Sequence, residues 1–150
     1  MKNNLQLPKD FLDSCRKKII ELQTLLTSIP AVAPEGGGNG ELAKCQALEK
    51  WLRENGITDL QRFDSPDSRV PCGFRPNLVA TIEGYDSEDP TIWVCAHMDV
   101  VPPGDLSLWK TSPWQVVQRE DRIYGRGVED NQQGLCSAVF ASLYFSIFSV

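Results

Sequence analysis

Apolar residues along the first third of the chain recur with a helical period. Phe11, Cys15, Ile19, Leu22, Leu26 and Ile29 follow one another at three- and four-residue steps, which lines them along one stripe of an α-helix. The spacing predicts a long amphipathic helix that begins at Pro8 and is stopped by Pro30. In the next ten residues, "AVAPEGGGNG", Pro34 and three consecutive glycines cannot hold regular structure cheaply, and a loop is expected. Leu42, Cys45, Leu48, Trp51 and Leu52 then resume the helical spacing as far as "ENG". Gly56 can take the left-handed conformation that closes a helix, so a second helix is expected over about 41 to 55.

Beyond Gly56 the pattern shortens into runs bounded by turn residues: "ITDLQRF", a Pro/Ser/Asp-rich stretch over 64–76, "NLVATIEG" and "TIWVCAHMDVV". These read as strands. "TIWVCA" (91–96) is continuously apolar, as in a strand covered on both faces, and "WQVVQREDRIYG" (114–125) reads as a hairpin turning near Glu120 and Asp121. The last segment opens with Asp130 and Asn131, both good helix caps. Leu135, Ala138, Val139, Phe140, Leu143, Tyr144, Ile147 and Phe148 then point nearly all round a helix. Such a helix wants burial on every side; at the end of this chain it implies that covering elements are missing and that the exposed apolar surface promotes association, including with a second copy. The expected fold class is α/β, a mixed, mostly parallel sheet flanked by helices.

Composition narrows the partners. A chain of 150 residues with 41% hydrophobic and 23% charged residues suits one globular domain. The net charge of −5 and the absence of a Lys/Arg cluster give no footprint for nucleic acid or an anionic membrane, which leaves a small molecule or peptide as the expected ligand. Five cysteines without a CxxC pair suggest neither a disulfide framework nor a zinc knuckle but reduced thiols in the cytoplasm. "MKNNLQLPKD" lacks the apolar core of a secretory signal. "LCSAVFASLYFSIFSV" is uncharged for 16 residues, but it is short for a membrane span and carries four serines, so it reads as a buried helix rather than a truncated anchor.

The chemistry centres on "CAHMDVVPPG" (95–104), which holds the only histidine. Positions i and i+2 of a strand face the same way, so His97 and Asp99 project together from the carboxyl end of an apolar strand, where ligands of α/β sheets sit. A neutral imidazole oriented by a carboxylate makes a sensible zinc ligand, although the tripeptide alone is equally that of an ordinary core or surface histidine. In "YGRGVEDNQQG" (124–134), Asp130 stands at a loop-to-helix junction, where a carboxylate can cap the helix or bridge two divalent ions. Cys95 beside His97 could suggest a thiol nucleophile, but with no positive neighbour it reads as core packing. "GGGNG" lacks the lysine and preceding strand of a phosphate cradle. Arg126, between two glycines, is open between substrate contact and a structural hydrogen bond to backbone carbonyls.

Taken in order, "HMDVVP", Trp109, "SPW" (112–114) and "YGRGVED" resemble the family of co-catalytic zinc hydrolases that includes aminoacylase, acetylornithine deacetylase, succinyl-diaminopimelate desuccinylase and glutamate carboxypeptidase. "SIPAVAPEGGGNGE" and "RPNLVATIEG" are similar to the family's first loop and to the strand before the histidine strand, so the resemblance covers about residues 10 to 140. It implies a zinc-peptidase-like fold and two Zn²⁺ ions per intact site, with Co²⁺ or Mn²⁺ as substitutes. His97 would be a ligand of one metal, Asp130 the bridging carboxylate, and Asp99 the catalytic-site group that holds the histidine. The peptide bond after Asp130 is cis in the family, so a cis Asp130–Asn131 bond is implied. Trp114 stands where the family more often has phenylalanine, a departure that affects packing.

The implied function is metal-dependent hydrolysis of amide bonds in small peptides or N-acyl amino acids. The family's remaining ligands and its general base, an adjacent Glu-Glu pair, a further acidic residue and a late histidine, have no counterpart here, and Glu129 does not fall at the base's position. Residues 1–150 therefore correspond to the N-terminal portion of the catalytic domain, truncated before the lid or dimerisation domain and the C-terminal catalytic part. The expectation is weak metal binding and no turnover by the isolated chain. The alternative is a non-catalytic remnant or interaction fragment that keeps the fold.

Overall fold

The computed structural model describes residues 9–84, 86 and 88–148. Pro8, taken as the start of the first helix, and the side chains of Ile147 and Phe148 lie outside the described residues. The first two helices form where the apolar spacing places them, α1 over Lys9–Ser28 and α2 over Leu42–Glu54. Gly56, at φ 95°, follows α2 in the left-handed conformation. Between the helices the glycine-rich loop contains one short turn, Pro34–Gly36, and folds back on Val32, whose carbonyl accepts from the Gly40 N–H at 3.1 Å.

Strands β1 (Leu60–Pro66) and β2 (Phe74–Ala80) pair antiparallel, from Leu60 opposite Ala80 to Pro66 opposite Phe74. The expected second hairpin is β3 (Val117–Arg119) with β4 (Arg122–Tyr124); its two-residue turn holds Glu120 at φ 55°, as such tight turns require. Helix α3 (Gln133–Phe148) packs against both earlier helices. The Tyr144 ring meets Phe11 of α1 edge-on at 5.0 Å, and Phe140 meets Trp51 of α2 at 5.8 Å. The core lies between the three helices: Leu22, Leu26, Leu48, Leu52, Leu135, Cys136, Phe140 and Leu143 are buried, each large side chain contributing about 1.5–3 kcal/mol. No helix among the described residues is long and apolar enough to cross a membrane.

Two expectations are corrected. The described ladders are both antiparallel and two-stranded, so a mostly parallel sheet is not what these residues form. The strand expected over 91–96 is also not formed: Ile92, Trp93 and Val94 are 87%, 70% and 68% exposed, and Cys95, read as a core residue, is exposed too. The reason is the same for both. A strand exists through its neighbours' hydrogen bonds, and no described segment runs beside 91–99. Only at Val100 does this run find a partner, a parallel bridge to Val32, in which the Val100 N–H donates to the Ala31 carbonyl at 2.9 Å and the Val100 carbonyl accepts from the Ala33 N–H at 3.3 Å.

Candidate functional site

The Val32–Val100 bridge fixes the end of the extended run, and with it His97 and Asp99. The opposite wall is the turn Val128–Gln132 that leads into α3. Gly127, at φ 83°, lets that turn approach: a Cβ there would stand 2.6 Å from Val100 Cγ1 and 2.9 Å from Gln132 Nε2. Gln132 is buried and accepts from the Thr27 hydroxyl at 2.8 Å, while the Gln23 amide donates to the Val128 carbonyl at 3.4 Å. These contacts moor the turn to α1. Within it Asp130 (φ −114°, ψ 96°) and Asn131 leave the helical conformation, and the bond between them is cis, as the resemblance implied.

Asp130 consequently does not cap the helix. Its Oδ1 lies 3.1 Å from His97 Nε2. On the other side of the ring Nδ1 donates to the Asp99 carbonyl at 3.0 Å, with the Asp99 carboxylate at 3.5 Å. The three site residues read from the sequence therefore stand together, on an open surface where the Asp130 side chain is 77% exposed. Burial, the largest single influence on His97, favours loss of its proton; the Asp99 carbonyl and the Asp130 and Asp99 carboxylates together outweigh it and hold the pKa above the ordinary histidine value.

Adjacent ligands of a tetrahedral zinc ion, each bonded at about 2.0–2.1 Å, stand roughly 3.3 Å apart. The 3.1 Å between His97 Nε2 and Asp130 Oδ1 fits two donors to one such ion. Those two do not complete a site: among the described residues no group of three or more His, Cys, Asp or Glu side chains gathers to hold a metal. Arg126, left open between two roles, lies over the Trp109 ring at 5.3 Å, and its backbone N–H donates to the Pro113 carbonyl at 2.7 Å.

Sequence reasoning missed a group behind Asp99. Arg75 of β2 reaches the Asp99 carboxylate at 3.9 Å, while its Nε donates to both oxygens of the buried Glu41 at 2.6 and 2.8 Å. Lys44, one turn along α2 from Glu41, is 1% exposed. Its burial lowers its pKa to about 8 against the pull of Asp99. The available signal was the position of Lys44 at four-residue steps from Leu48 and Leu52, on the core face of α2.

The sequence model described as peptidase family M20/M25/M40 matches residues 93–145, the segment that carries His97, Asp99 and Asp130. That segment is similar to the M20/M25/M40 peptidases. An uncharacterized metallohydrolase of Methanocaldococcus jannaschii is 34% identical over 127 residues, 82% of this chain and 30% of the relative. Succinyl-diaminopimelate desuccinylase of Delftia acidovorans is 34% identical over 126 residues, 83% of this chain and 30% of that enzyme. The solved structure of the di-peptidase Dug1p from Saccharomyces cerevisiae superposes with a TM-score of 0.76 at 24% identity, over 92% of this chain and 30% of that one. The chain thus shares an α/β fold with an M20 peptidase and spans about 30% of the length of the curated relatives it matches.

Proposed function

We propose that the chain contributes the histidine and the bridging carboxylate of a divalent-metal-dependent hydrolase acting on amide bonds of small peptides or N-acyl amino acids. The observation that carries this is the convergence of His97 Nε2 and Asp130 Oδ1 at 3.1 Å, with Asp99 against the other ring nitrogen. The activities for which two of the similar proteins are named, a desuccinylase and a di-peptidase, support the substrate class. Zinc is the proposed ion, two per complete site, with cobalt or manganese as substitutes; when bound, such an ion polarises a substrate carbonyl. His97 would offer Nε2 while its Nδ1 proton stays on the Asp99 carbonyl, and Asp130 would offer both oxygens because its own helix does not use them. The remaining ligands, the general base and a lid or dimerisation domain would belong to other parts of a whole cytoplasmic enzyme, in which residues 91–99 would pair as a strand of a larger, mostly parallel sheet.

The test is calorimetric titration of zinc into the chain and into His97→Ala and Asp130→Ala. Weak binding that either substitution removes is expected; equal uptake by all three would refute the site. Assays of N-acyl amino acids and dipeptides with added zinc should show no turnover by these 150 residues, and turnover lost in His97→Ala would show that the two donors suffice. A second reading, an interaction fragment without catalysis, is favoured by the exposed apolar run Ile92–Val94. It requires self-association or capture of a longer relative in sedimentation experiments.

A further inference from the structure

The side chains that meet at Asp99 come from three separate parts of the chain. Glu41, at the start of α2, is buried and takes both of its hydrogen bonds from Arg75 Nε. Arg75, in β2, then has its Nη2 3.9 Å from Asp99 Oδ2, and Asp99 Oδ1 is 3.5 Å from His97 Nδ1. Arg75 thus acts on the end of the Asp99–His97 pair away from Asp130, and its own orientation is held by a carboxylate that is 6% exposed.

We propose that Arg75, locked by Glu41, is a positioning residue: it fixes the Asp99 carboxylate, and through it the orientation and Nδ1–H tautomer of His97, so that Nε2 is turned toward Asp130 and available to a cation. This rests on the metal-site reading above for its purpose, but not for its test. A carboxylate paired with a locked guanidinium is held against the imidazole, whereas Asp99 alone is a third exposed and free to turn to solvent. Arg75 suits the role better than lysine would, because its planar fork can face Glu41 and Asp99 together.

Because His97 is the only histidine, the ¹⁵N resonances of one imidazole can be read without assignment in the metal-free protein. The variants are Arg75→Met, Glu41→Gln and Arg75→Lys, compared with wild type at one pH and temperature. In Arg75→Met and Glu41→Gln the two ring-nitrogen shifts should move toward those of a freely averaging imidazole, and zinc affinity, measured with a chromophoric competitor, should fall, in Arg75→Met about 10- to 100-fold, the usual cost of losing a group that orients a ligand. Arg75→Lys should recover part of both. A merely structural role would change the unfolding midpoint and leave the shifts and affinity of the folded protein unchanged, and that result overturns the proposal. Should Arg75→Met not fold, Glu41→Gln decides alone, since it keeps the size of the side chain and leaves the guanidinium in place while weakening its lock. If wild type binds no zinc, the metal-site reading fails, while altered ring shifts in the variants still uphold the positioning role and unaltered shifts still sink it.

Discussion

Replacing Lys44 by methionine keeps the length of the side chain and removes a charge from a position that is 1% exposed. Burial brings the lysine pKa from an ordinary 10.5 down to about 8, with Asp99 only partly opposing it. At about 1.4 kcal/mol per pH unit this corresponds to roughly 3 kcal/mol. The sign follows from proton counting. Below pH 8 the amine is charged in the folded and the unfolded chain alike, and the folded state bears the whole cost of burying it. Between 8 and 10.5 the unfolded chain still holds a proton that the folded chain has released, so stability rises with pH, and above 10.5 the cost is gone. Urea unfolding of Lys44→Met should therefore show a protein about 1–3 kcal/mol more stable than wild type at pH 7, with the difference shrinking as pH rises from 8 to 10.5. A variant less stable than wild type at pH 7, or a difference that does not change across that window, would refute the reasoning.

Other expectations concern the walls of the site and the thiols. Gly127→Ala puts a Cβ against Val100 at a positive φ; it should cost about 1–3 kcal/mol and broaden the His97 resonances, as judged by urea unfolding and NMR. Leu22→Ala, at a fully buried core position, should cost about 2–5 kcal/mol in the same unfolding assay without altering the imidazole shifts. Burial pushes the Cys45 thiol up to about 11 and that of Cys136 to about 12. Iodoacetamide at pH 8 should therefore modify exposed Cys95 first and spare those two until the chain unfolds, which peptide mapping by mass spectrometry would check.

The helices were legible because their signal is local. The repeat of Phe11, Cys15, Ile19, Leu22 and Leu26 describes α1 without reference to anything else, and its core is the face that the period selects. The β3–β4 hairpin was legible for the same reason, since a tight turn is written in adjacent residues. The run "TIWVCA" was not. Its composition reports burial in a sheet, but pairing depends on partners distant in sequence, and among the described residues the first bridge after it comes only at Val100. Hydrophobicity alone states what a segment needs and not whether it is met.

The site divides along the same line. His97, Asp99 and Asp130 could be named because "HMDVVP", "SPW" and "YGRGVED" occur in one order and together carry a family resemblance that no single short motif does. What joins them is written elsewhere, in Gly127, whose missing side chain lets the turn close on Val100, and in Gln132, which ties that turn to Thr27. The brace behind Asp99 was invisible because Glu41, Arg75 and Asp99 are far apart along the chain and meet only when α2, β2 and the extended run are assembled. Neither Glu41 nor Arg75 carries a mark of the brace in its own neighbourhood of the sequence, so a short motif can name the ligand while the residues that keep it aimed are legible only once the elements are assembled.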